Sequence, residues 1–166
     1  MKKQIMLLGM FALIFWACQQ PSKVVIKESG PEIDNMNKYI EAYVNADWAT
    51  LRASYADTAT IQFNNQKMDP DSLIRVHQSG RPLYDKVAVS TAATEYIKYE
   101  NGQEWIHWWG SIEFTIKGTG KVIGVPIHMA GRLSNGKTTE QYAYYNTMEI
   151  RNAVLEANPP PAVPTK

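Results

Sequence analysis

Apolar positions follow three patterns along this chain. Residues 5–16 are a continuous apolar run, residues 31–80 repeat every three to four positions, and residues 84–150 mostly alternate. The middle pattern is helical. Ile33, Met36, Ile40, Tyr43 and Val44 fall on one side of a helix, and Ser29 and Glu32 before them have capping-box spacing. Asp47 can cap a short second helix with Trp48, Leu51 and Tyr55 on one face. Ala59, Ile61 and Phe63 then alternate with Thr60 and Gln62, as on a half-buried strand. Asp69 and Pro70 open a third helix with Leu73, Ile74 and Val76 on its apolar side, and Gly80 closes it.

From Tyr84 onward the alternation predicts four strands. They are joined by turns at Asn101–Gly102, Gly118–Gly120 and Asn135–Gly136. Pro126 lacks a backbone donor, which calls for an edge or a bulge at that point. The predicted fold class is α+β, with N-terminal helices packed in a curved antiparallel sheet. Such a sheet leaves a tapered cavity that holds either a ligand or packed side chains.

The stretch EWIHWW, residues 104–109, divides between two faces. Ile106, Trp108, Ile112, Phe114 and Ile116 share one and should face the helices. Trp105, His107 and Trp109 share the other, where they form either a dimer interface or a surface covered by terminal segments. On the last strand Glu140, Tyr142, Tyr144, Asn146 and Met148 share a face. Directed inward, Tyr142, Tyr144 and Asn146 join Trp108 at the cavity, with Trp48, Tyr55 and Phe63 as its other walls. The same residues also suit a packed aromatic core.

The first apolar run follows Lys2 and Lys3 and is 12 residues long. A helix needs about 20 residues to span a bilayer, so this run fits a secretory signal instead. Cys18, the single cysteine, comes directly after Ala17. This junction resembles bacterial lipoprotein signal peptides, which implies lipidation of Cys18. Gln19, in place of the aspartate that retains many lipoproteins in the inner membrane, points to the outer membrane. The expected organisation is a signal peptide over 1–17, a tether over 18–30, a domain over 31–151 and a proline-rich tail over 152–166. Removing residues 1–17 takes away Lys2 and Lys3 and no acid, which turns a formal charge of +1 into −1. That balance provides no basic footprint for nucleic acid. His77, His107 and His128 lack metal-ligand spacing and are read as structural, so no metal or cofactor is expected.

Residues 38–61 and the hairpin over 131–150 resemble the nuclear-transport-factor-2-like superfamily, particularly its SnoaL-like branch. The resemblance implies a cone-shaped α+β domain that often dimerises through its sheet. Members of that branch often carry aspartates on the final strand. The corresponding positions here are Ala143 and Asn146, which cannot exchange a proton near neutral pH.

The residues support three functional readings. The preferred one is a membrane-anchored, extracytoplasmic, non-catalytic module that binds a small apolar or amphipathic molecule. The second is an isomerase- or cyclase-type enzyme with Glu140 as acid or base beside Tyr142 or Tyr144. The third is a structural homodimer component.

Overall fold

The computed structural model describes residues 24–159. The expected signal peptide, Cys18, the first part of the tether and the end of the tail lie outside the described residues. Three helices precede the main hairpins: α1 (Pro31–Val44), α2 (Trp48–Ala53) and α3 (Pro70–Gly80). Strands β1 (Val25–Lys27), β2 (Tyr55–Phe63) and β3 (Gln66–Met68) are interleaved with them. A 3-10 turn (Arg81–Leu83) leads into β4 (Tyr84–Lys98), β5 (Glu104–Ile116), β6 (Val122–Ser134) and β7 (Lys137–Tyr145), and α4 (Met148–Ala157) follows.

The local chemistry accounts for the element ends. Asp47 accepts from the Thr50 backbone N–H at 3.1 Å, and Asp69 accepts from Ser72 N–H at 2.7 Å. Each satisfies a donor that its helix leaves unpaired. The expected box at Ser29 does not form. Gly30 is the cap residue of α1, and Glu32 lies 3.6 Å from Lys27 instead. Asn135 and Gly136 both take positive φ, 51° and 73°, as a tight β6–β7 turn requires.

The strands form one curved sheet in the order β1-β4-β5-β6-β7-β2-β3. All neighbours are antiparallel except β2 and β7, which pair parallel. The helices cover one face of the sheet. There Tyr39, Ile40, Leu51 and Leu73 meet Trp108, Ile112, Phe114, Val125 and Met129 in the main core. Pro126 pairs with Ser111, but β7 pairing begins only at Ile127. The proline therefore sits where β6 has an open edge, which costs no ladder bond.

Two elements depart from the sequence expectation. β1 pairs with β4, so the end of the expected tether belongs to the sheet. The last strand stops at Tyr145, and α4 runs across the expected domain–tail boundary with Ala153 buried in the core. Its apolar stripe is short, which masked it behind the tyrosine-rich strand before it. Among the described residues no helix is long and apolar enough to cross a membrane.

Candidate functional site

β5 keeps strict alternation. Trp108 is 1% exposed, beneath the helices, while Trp109 next to it is 41% exposed on the outer face. Register carries this division across the sheet. Trp108 pairs with Met129, which pairs with Ala143, and all three are buried. Trp109 pairs with His128, which pairs with Tyr144 on the outside.

That register corrects the placement expected for the last strand. The β6–β7 ladder pairs Leu133 with Thr138 but Arg132 with Glu140, so Thr139 is an extra, bulged residue. Its Oγ1 donates to the Arg132 carbonyl at 3.2 Å. One inserted residue turns every later side chain to the opposite face. Gln141 and Ala143 are therefore buried and Tyr145 faces the helices. Tyr142 lies outside, stacked on Trp105 with centroids 6.3 Å apart, and Tyr144 is 51% exposed. Asn146 is exposed and accepts from the Met148 backbone N–H at 2.9 Å. Glu140 is also on the outer face, paired with the Arg132 guanidinium, and away from the cavity.

A cavity of about 220 Å³ lies between the helices and the inner sheet face. Trp48 and Phe63 line it. Tyr55 and Trp108 lie behind its wall in the core, fully buried. The Tyr55 hydroxyl donates to Gln141 Oε1 and lies 2.8 Å from the Tyr39 hydroxyl. Of this buried triad, Tyr39 borders the cavity, and Tyr39 and Gln141 border a second hollow of about 400 Å³ near Lys38 and Lys137.

The residue that sequence reasoning missed is His77. It is one helical turn after Leu73 and shares the inward face of α3, a spacing visible in the sequence. Its ring is surrounded by aromatics: Tyr43 at 4.8 Å edge-on, Phe63 at 5.9 Å, and Trp48 stacked at 6.4 Å. Burial lowers its pKa to about 4, so the imidazole is neutral at physiological pH. Tyr43, Tyr84 and Tyr145 also border the cavity, and burial raises the pKa of each. Arg81 remains as the fixed charge on the lining, with Nη1 donating to the Tyr84 carbonyl at 2.8 Å. No Asp or Glu borders this cavity among the described residues.

The outer face carries a separate aromatic array. His107, Trp109 and His128 stack with centroids 5.2–5.7 Å apart. Burial lowers the His107 pKa, His128 adds to this, and Glu95 opposes it. Among the described residues no group of three or more His, Cys, Asp or Glu could hold a metal ion.

No family model matches the sequence, and no curated protein does. Solved structures do match the fold. One is an NTF2-like protein of unknown function from Burkholderia pseudomallei, at TM-score 0.59 and 13% identity, covering 76% of this chain and 98% of that one. A putative SnoaL-like polyketide cyclase from Shewanella denitrificans gives 0.56 at 15% identity, with 75% and 97% covered. A ketosteroid isomerase-like protein from Erwinia carotovora gives 0.54 at 18% identity, with 68% and 91% covered. The chain therefore has the NTF2-like fold that these proteins share.

Proposed function

We propose that this protein is a non-catalytic binding module that holds a small, largely apolar molecule between its helices and sheet. The observation that carries this reading is the lining of the 220 Å³ cavity: aromatic and aliphatic walls, a neutral His77, and no carboxylate among the described residues. Acid–base chemistry near neutral pH works best with a group whose pKa lies near that pH. His77, at about 4, is a weak base there, and Glu140 is on the other side of the sheet. The neighbours named as a cyclase or isomerase-like protein share the fold, and at these identities only the fold. The test is extraction of the natively purified chain with organic solvent, followed by mass spectrometry of the extract. A small molecule recovered from the wild type but not from Ile127→Trp, which fills the cavity, supports the reading. Equal recovery from both rejects it.

The proposal also includes an envelope address: cleavage before Cys18, lipidation there, and a domain on the extracytoplasmic side. The lipoprotein-like start of the sequence supports this. Acyl chains contribute roughly 0.8 kcal/mol per buried methylene, so two or three would anchor firmly. Metabolic labelling with an alkyne fatty acid should mark the wild type and not Cys18→Ser. Labelling of both would refute the anchor. The exposed Trp109 and its stacked neighbours favour self-association through the outer face into a homodimer. Trp109→Ala should shift native mass toward the monomer, and an unchanged mass distribution would count against that interface.

A further inference from the structure

The cavity contains more polar chemistry than an apolar ligand requires. The Tyr43, Tyr84 and Tyr145 hydroxyls and the His77 ring make no side-chain hydrogen bond among the described residues. All four border the same 220 Å³ space. Arg81 borders it as well, and no carboxylate pairs with it among the described residues. Its guanidinium makes one hydrogen bond, to the Tyr84 carbonyl, and its Nε is buried with no acceptor. An arginine has five N–H donors in a planar fork, so most of this one's capacity is unspent. Arg81 and Tyr43 thus border the same space, as do Tyr84 and Tyr145.

A neutral ligand that displaced water there would leave most of the guanidinium's donors unmatched, which is costly. A ligand carrying a delocalised single negative charge removes that cost and matches the fork geometry. A compact dianion such as phosphate would bring a second charge with no second cation on the lining among the described residues. The volume is below the roughly 300–1,000 Å³ of drug-sized sites, which limits the ligand to one or two rings. Resting on the small-molecule reading above, we infer that the pocket selects a small planar aromatic carboxylate, with its carboxylate on Arg81 and its ring against Trp48, His77 and Phe63.

The test uses the full-length chain and two probes of nearly the same shape, 2-naphthoate and its uncharged amide, 2-naphthamide, titrated by calorimetry. The acid should bind about tenfold or more tightly than the amide, the scale of one charge-assisted contact. Arg81→Gln should remove that preference, with an unchanged far-ultraviolet circular dichroism spectrum and thermal midpoint as the separate check that the fold is intact. Arg81→Lys, which keeps charge but loses the fork, should retain an intermediate preference. Equal binding of acid and amide, or a preference that survives Arg81→Gln, overturns the anion assignment and leaves the small-molecule reading standing. Failure of both probes overturns it too. If solvent extraction also recovers no ligand, the broader reading falls with it.

Discussion

At the scale of single residues, His77 ties the cavity to stability. Burial holds its pKa at about 4 against an ordinary 6.5. Above pH 6.5 the ring is neutral in both folded and unfolded chains and adds no slope. Between pH 6.5 and about 4 the unfolded chain takes up a proton that the folded one refuses, so stability falls as pH falls. A single such ring accounts for up to about 3 kcal/mol across that window. Urea unfolding at pH 7 and pH 4.5 should show that His77→Leu loses less stability on acidification than the wild type. An equal loss would mean that the ring is hydrated. The buried triad gives a second expectation. Tyr55→Phe leaves Gln141 Oε1 without its donor in the core, which should cost about 1–3 kcal/mol in the same assay. The spacing that puts His77 on a helix face was visible, but its aromatic surroundings come from three other elements and were not.

At the scale of elements, β5 and β7 show why one strand could be read and the other could not. On β5 the two faces differ sharply in polarity, so alternation alone assigns Trp108 inward. On β7 each face carries tyrosine, so parity depends on the bulge at Thr139, which no local pattern announces. Helix α4 was missed for a related reason: a short apolar stripe between a strand and a proline-rich end. Its Ile150 borders the cavity and Ala153 is buried, so the expected tail includes part of the domain. Removing residues 152–166 should lower Tm by several degrees, roughly 2–4 °C per kcal/mol lost. β5 also contains a sharp steric demand. A Cβ at Gly110 would sit 2.2 Å from the Trp108 ring and 2.7 Å from the Thr91 carbonyl oxygen. Gly110→Ala should therefore cost about 1–3 kcal/mol or more, with loss of the near-ultraviolet signal from Trp108.

At the scale of the whole molecule, the order of helices and hairpins was enough to read the α+β class and the inward and outward faces of the longest strand. The parallel β2–β7 junction was not legible, because it joins segments some eighty residues apart. The aromatic residues form two separate populations, one around the cavity and one on the outer sheet. The account assigns ligand binding to the first and self-association to the second. The four tryptophans that follow Cys18 (Trp48, Trp105, Trp108 and Trp109) give indole N–H signals that can separate these sites. Adding 2-naphthoate to the full-length chain should move the Trp48 signal while the Trp105 and Trp109 signals stay in place. Movement of Trp105 and Trp109 with Trp48 unmoved would put the binding surface on the wrong side of the sheet and contradict the account.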